Sequence, residues 1–240
     1  MSVRIGEEVQ EVLWEGQGMT TAIILAAGKS SRMGSAVDKA FLSLVDKPVV
    51  AWSLLAFERC AEVDAIVLVV RKEQQLASKA VAKMFGISKL RAVVPGGAKR
   101  QESVAAGLAA CDLDTRTVVV HDAARPLVTS DLISETVTAA KRFPAVTVGH
   151  PMTDTVKVYE KGSNVTSTPP RDKLWAVQTP QAFQARDLRA AYKALGKREA
   201  TDDCMAVELN GGAVKIVACN RPNFKITTVE DLQAAALLLK

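Results

Sequence analysis

The six residues from Ala65 to Val70 carry no polar side chain, although successive side chains of a strand point to opposite faces. A strand apolar on both faces has to be covered on both, which is the situation of a parallel strand between two layers of helices. Thr21–Ala26 and Thr117–His121 have nearly the same texture. Between such runs the period changes. Val50, Leu54, Leu55 and Phe57 have the spacing of one side of a helix over 49–60, and further helices are expected near 73–85 and 100–110, with a strand at 91–94. Strands alternating with helices predict an α/β fold: a Rossmann-like, open, mostly parallel sheet with helices on both faces. A chain of 240 residues can bury a sizeable core in that arrangement.

A helix is expected from Ser130, as N-cap, to Phe143, stopped by Pro144, and a strand at 145–148. The texture then changes. Thr155–Tyr159, a turn at Lys161–Asn164 and Val165–Thr168 read as a hairpin, followed by Pro169-Pro170 and extended chain. Helices near 185–195 and 202–210, a strand at 213–217 and a last helix over 229–240 resume the alternation. The expected organisation is one domain over 19–240, with a protruding β-arm at about 151–179 and an N-terminal extension, 1–18, of unassigned role.

Composition removes several classes of function. No apolar run approaches the roughly 20 residues of a membrane span. The first 18 residues set Glu7, Glu8, Glu11 and Glu15 against a lone Arg4, the reverse of an export signal, so a cytoplasmic location is expected. Cys60, Cys111, Cys204 and Cys219 are widely spread, fit neither a zinc site nor a disulfide framework, and are expected to be reduced core residues. Two histidines, His121 and His150, are too few for a His-rich metal site. The net charge of +5 comes from dispersed basic residues without interleaved aromatics, which suits an anionic small substrate and gives no support to nucleic-acid binding.

The segment Leu25-Ala26-Ala27-Gly28-Lys29-Ser30-Ser31-Arg32-Met33-Gly34, followed by Asp38-Lys39-Ala40-Phe41, comes directly after the first strand, where an open α/β sheet has its ligand crevice. Small residues let backbone N–H groups approach a polyphosphate, and Arg32 and Lys39 add positive charge there. The loop is not a Walker A motif, because Ile23 stands where its first glycine would be, and Ser30 breaks the G-x-G-x-x-G pattern.

With Gly96-Gly97-Ala98-Lys99-Arg100-Gln101-Glu102-Ser103-Val104, His121-Asp122-Ala123-Ala124-Arg125-Pro126, Asp154-Thr155-Val156-Lys157, Thr179-Pro180-Gln181 and Asn223-Phe224-Lys225-Ile226-Thr227, this loop resembles the 2-C-methyl-D-erythritol 4-phosphate cytidylyltransferases over nearly all of 20–240. The resemblance implies transfer of CMP from CTP to a sugar-alcohol phosphate, with magnesium held mainly by the CTP phosphates and no protein metal ligand assigned. It implies catalytic roles for Arg32, Lys39, Arg171 and Lys225. The nucleotide would meet Leu25, Ala26, Ala27, Gly28, Gly97, Ala98, Ser103 and Ala123. The acceptor would meet Asp122, Arg125, Thr155, Arg171 and Lys225. Thr155 and Arg171 lie on the arm, which the resemblance extends across a homodimer with shared active sites. Two positions depart from the family pattern: Pro222 stands where an acidic residue is usual, and Lys47, expected in an exposed turn, where glycine is common. The alternatives are a ribitol 5-phosphate cytidylyltransferase, against which Ala26-Ala27-Gly28 in place of Ala-Gly-Gly argues, and an inactive nucleotide-binding regulatory subunit, against which the retained cations argue.

Overall fold

The computed structural model describes residues 18–28 and 38–239. Arg32 and the extension before Gly18 lie outside them, as does the stretch 29–37 of the glycine-containing loop. The chain runs through β1 (Met19–Leu25), a short β2 (Ser43–Leu44) and β3 (Lys47–Pro48), α1 (Val49–Arg59), β4 (Ala65–Val70), α2 (Gln75–Met84), β5 (Leu90–Pro95), α3 (Arg100–Ala109) and β6 (Thr115–Asp122). It continues through α4 (Ser130–Ala140), β7 (Ala145–Pro151), β8 (Val158–Tyr159), β9 (Val165–Ser167), β10 (Trp175–Gln184), α5 (Ala185–Leu195), α6 (Asp203–Leu209), β11 (Val214–Ala218) and α7 (Val229–Leu238).

Among the described residues one sheet of seven strands has the order β11-β7-β10-β6-β1-β4-β5. All neighbours pair in parallel except β10, which runs antiparallel between β6 and β7. Alternation along each strand divides the core in two. Ala22, Ile24, Ile66, Leu68 and Val119 pack on one face with Val50, Leu54 and Phe57 of α1 and Ile133 and Val137 of α4. Ile23, Val67, Val69, Val118 and Val120 pack on the other with Val104 and Leu108 of α3 and Leu188 of α5. Each fully buried Leu, Ile or Phe contributes roughly 1.5–3 kcal/mol of transfer free energy. The apolar runs that pointed to a covered parallel sheet are the central strands.

Four details differ from the sequence expectations. Thr129, not Ser130, caps α4, its hydroxyl accepting the Leu132 N–H at 3.2 Å; the helix stops at Ala140 rather than Phe143. Asp202 likewise caps α6 from outside. The extended chain expected through Thr179 joins the seven-stranded sheet from Trp175 onward, so the excursion runs from Met152 to Leu174, closed at its base by the pairs Trp175–Pro151 and Met152 N–H to Leu174 C=O (3.0 Å). Lys47 is not in an exposed turn: the turn is at Val45-Asp46, and Lys47 is 15% exposed with its ammonium 3.8 Å from the Trp52 ring centroid. The arm contains the antiparallel β8–β9 hairpin and exposes Val158, Tyr159 and Val165. All four cysteines are free and buried. No helix of the described residues is long and apolar enough to cross a membrane.

Candidate active site

The chain leaves β1 for β4 and β5 on one side, then returns to place β6 on the other. Such a reversal opens a crevice beyond the carboxyl ends of the two strands. Leu25 and Asp122 are register partners at that end. Three backbone bonds knit the surrounding loops together: Ala26 N–H to Val69 C=O (2.7 Å), Gly96 N–H to Val70 C=O (2.8 Å) and Ala123 N–H to Leu25 C=O (2.9 Å). They gather Leu25, Ala26, Ala27 and Ala123 beside the turn that precedes α3.

That turn needs glycine because of what stands next to it. A Cβ at Gly96 would sit 2.5 Å from Ala27 Cβ and 2.6 Å from Ser103 Oγ, and one at Gly97 would sit 2.3 Å from Glu102 Cβ. Ser103 Oγ accepts the Gly97 N–H at 3.2 Å, and the Glu102 carboxylate accepts from Ala98 (2.7 Å) and Lys99 (3.2 Å). These side chains therefore hold the turn's shape, and the N–H groups of Gly97 and Ala98 are occupied inside it. Gly28, Gly97 and Ala98 are exposed.

Asp122 is the centre of charge. Lys225 Nζ donates to its Oδ2 at 2.8 Å, while Arg100 Nε donates to its Oδ1 at 3.4 Å. The residue is 8% exposed. Burial pushes its pKa up, but Arg100, Lys225 and Arg125 outweigh burial and hold it well below the usual carboxylate range. It is an anion at any physiological pH. The backbone N–H of Asp122 donates to Thr179 Oγ1 (3.0 Å), which is 3.2 Å from His121 Nδ1. The Arg125 carbonyl, 3.3 Å from Nε2, can only accept, so the neutral ring carries its proton on Nε2 and takes the Thr179 hydroxyl proton at Nδ1. Burial pushes the His121 pKa down to about 3, so the ring is a neutral strut, as expected of a structural histidine.

Lys39 arrives by a different route. It begins a one-turn 3₁₀ helix, Lys39–Phe41, capped by Asp38, whose Oδ1 accepts the Ala40 N–H at 3.1 Å. Arg71, just past β4, grips Asp38 Oδ2 through Nη2 (2.7 Å) and Nε (3.1 Å). The Lys39 ammonium lies 3.3 Å from the carbonyl of Ile226, the residue after Lys225. The segment that carries both contacts is itself tied down, by Ile226 N–H to Ala124 C=O at 2.7 Å and by Arg125 Nη1 to Asn223 C=O at 2.8 Å.

Lys39, Asp122 and Lys225 are thus brought together. Arg125 serves here as a strap on the Asn223 segment, half-buried and with its pKa lowered by that burial. Thr155 and Arg171 are exposed on the arm, where Arg171 Nη1 donates to Thr153 C=O at 2.7 Å, and they do not figure among the described partners of Asp122 or Lys225. Pro222 is exposed beside buried Asn223. Sequence reasoning missed Arg100, Asp38 and Arg71 as site residues; Arg100 stands inside the motif that begins at Gly96 but has no visible partner there, because Asp122 and Asp203 are remote in sequence. No three His, Cys, Asp or Glu side chains cluster as metal ligands among the described residues.

Comparison with known proteins gives this geometry its setting. The sequence model of the family described as 2-C-methyl-D-erythritol 4-phosphate cytidylyltransferase (IspD) matches residues 20–240. A protein of that name from Alkaliphilus oremlandii is 40% identical over 229 residues, 94% of this chain and 97% of the relative. One from Pelotomaculum thermopropionicum is 44% identical over 222 residues, 91% and 93% of the two chains. The crystal structure of 4-diphosphocytidyl-2C-methyl-D-erythritol synthase from Anaerococcus prevotii is similar with a TM-score of 0.82 and 31% identity, covering 93% of this chain and 96% of that one. With its switch-point crevice, its lysine-flanked buried aspartate and these relatives over almost its whole length, the chain belongs to the 2-C-methyl-D-erythritol 4-phosphate cytidylyltransferase family.

Proposed function

We propose that the chain transfers CMP from CTP to 2-C-methyl-D-erythritol 4-phosphate, releasing pyrophosphate and forming 4-diphosphocytidyl-2-C-methyl-D-erythritol for non-mevalonate isoprenoid synthesis. The observation that carries the reading is the convergence of Lys39 and Lys225 on one segment beside Asp122, at the open end of β1 and β6. A phosphate oxygen of the acceptor attacks the α-phosphorus of CTP in line, and both reactants are polyanions. No general base is needed, because the attacking phosphate is already ionised. What the protein has to supply is positive charge in fixed places.

In this reading Lys39 and Arg32 meet charge that grows on the α-phosphate and the departing pyrophosphate, each worth about 3 kcal/mol in the transition state if it behaves as single donors in other oxyanion sites do. Lys225 leaves Asp122 for the acceptor phosphate, and the freed carboxylate oxygen accepts from an acceptor hydroxyl. Leu25, Ala26, Ala27, Gly28, Gly97, Ala98, Ser103 and Ala123 enclose the nucleotide. Magnesium, if it accompanies CTP, would be held mainly by the nucleotide's phosphates and would offset their negative charge, with no protein ligand assigned. Arg171 and Thr155, exposed on the arm, act across a homodimer on the partner's acceptor, which gives the arm its role. Free, buried cysteines are in keeping with a cytoplasmic enzyme.

The deciding assay is pyrophosphate release from CTP and magnesium with methylerythritol phosphate and ribitol 5-phosphate offered in parallel. Preference for methylerythritol phosphate is expected; faster turnover on ribitol 5-phosphate overturns the assignment.

A further inference from the structure

Behind Asp122 the charges continue inward. Arg100, at the start of α3, reaches Asp122 with Nε and lies 2.8 Å from Asp203 Oδ2 with Nη2, a charge contact rather than an aligned hydrogen bond. Asp203, in the first turn of α6, is 0% exposed. Its Oδ1 accepts from the Tyr192 hydroxyl of α5, and its backbone N–H donates to Gln181 Oε1 at 3.2 Å. Gln181, on β10, donates in turn to Thr147 Oγ1 (3.0 Å) and Asp202 Oδ2 (2.7 Å). A row Lys225–Asp122–Arg100–Asp203 therefore runs from the crevice into the protein, and its inner end is bolted to two helices and two strands.

Burying such a row is costly. Replacing a buried ion pair by apolar side chains of similar volume is often neutral or stabilising, so stability alone does not account for it. Its geometry does something else. One oxygen of Asp122 is taken by Arg100 and the other by Lys225, so the carboxylate plane is set by two clamps approaching from different elements. Asp122 shared between two cations holds neither exclusively.

We propose that Arg100, seated on Asp203, is a positioning residue for the acceptor half of the reaction: it fixes Asp122 and keeps Lys225 available to the acceptor phosphate. This rests on the functional reading above, in which Asp122 and Lys225 meet the acceptor. Arg100 itself touches no reacting atom.

Asp203→Asn is the informative change, because it keeps the shape, leaves an oxygen for Tyr192 and replaces the charged acceptor under Arg100 by an uncharged amide nitrogen. The expected result is a fall of roughly tenfold in kcat/KM for methylerythritol phosphate, the scale of a small misplacement of a reacting group, with KM for CTP within about twofold of wild type. Arg100→Lys keeps the charge but loses the fork, and is expected to fall between Arg100→Gln and wild type in acceptor kcat/KM. Wild-type acceptor kinetics in Asp203→Asn overturn the proposal. If that variant does not fold, the Arg100→Lys and Arg100→Gln comparison decides in its place: equal kinetics in the two, or equal losses for CTP and acceptor, overturn it. Lys225→Ala measured alongside separates the two levels. Unchanged acceptor use in Lys225→Ala overturns the functional reading together with this one, whereas a defect there and none in Asp203→Asn overturns the positioning role alone.

Discussion

Lys225 and Asp122, 103 positions apart in the chain, meet at 2.8 Å, and that contact closes the segment after β11 over the end of β6. Lys225 stays 37% exposed while Asp122 is nearly enclosed, so the lysine is the member of the pair that can turn outward. Lys225→Ala is therefore expected to lower kcat/KM for the acceptor roughly 100-fold, as for loss of a single donor to a developing oxyanion, while CTP affinity changes little. Calorimetric titration with CTP checks the second half; equal weakening of both ligands would move Lys225 into the nucleotide site.

For Lys39→Ala and Arg32→Ala a loss of about 100-fold or more in kcat is expected with little change in unfolding temperature, because their charges answer charge that forms only in the transition state. Arg71→Ala should act in the same direction but more weakly, since it only loosens the Asp38 cap under Lys39. Turnover above half of wild type in Lys39→Ala would remove it from the mechanism.

Gly96→Ala puts a methyl group into the space that Ala27 and Ser103 already fill. Overpacking of this kind costs about 1–3 kcal/mol, and here the strain falls on the turn proposed to enclose the nucleotide. KM for CTP should rise well before KM for the acceptor. Steady-state kinetics with each substrate varied in turn would show it, and a selective rise for the acceptor would contradict the assignment of this turn.

His121 makes a pH prediction. Its folded pKa is about 3, below the ordinary value of 6.5, because burial penalises the charged ring. A depressed histidine contributes stability that is fully present above about pH 6.5 and is lost as pH falls from there towards 3, at up to about 1.4 kcal/mol per pH unit. Urea unfolding at pH 7 and pH 5 should differ by about 2 kcal/mol from this residue alone. Equal stabilities would show that the ring takes up a proton in the folded state.

The arm is tested by mixing. If Arg171 acts on the partner's acceptor, co-folded Lys39→Ala and Arg171→Ala chains form mixed dimers with one doubly damaged site and one intact site. Random pairing makes half the dimers mixed, so recovery of roughly one quarter of wild-type activity is expected for a two-fold symmetric dimer. No recovery would place Arg171 in its own chain's site.

The parallel strands were legible because two-sided burial leaves a two-sided apolar sequence; the apolar run Ala65–Val70 and β4 coincide to the residue. β10 was not, because its middle is Gln178-Thr179-Pro180-Gln181. Thr179 and Gln181 are buried and Gln178 half-buried because distant partners satisfy them: Asn223 donates to Gln178 Oε1, Asp122 N–H donates to the Thr179 hydroxyl, and Gln181 reaches Thr147 and Asp202. Sequence periodicity sees the polarity and not the partners. The same holds for the site. Gly96, Asp122 and Lys39 announce themselves by local pattern, whereas Arg100 has meaning only once α6 has brought Asp203 beneath it.

The base of the arm, where Pro151 and Trp175 face each other as neighbours in adjacent strands, makes the arm separable from the rest of the chain. Residues 152–174 leave the sheet and return to it at one place, so excising them would leave two ends already side by side and within reach of a short turn. The seven strands and both helical layers would keep every pairing they have. A chain so shortened should still fold. Evolution or design could then lengthen, trade or remove the hairpin as a cassette, changing what the protein associates with and leaving the sheet that carries Lys39 and Asp122 untouched.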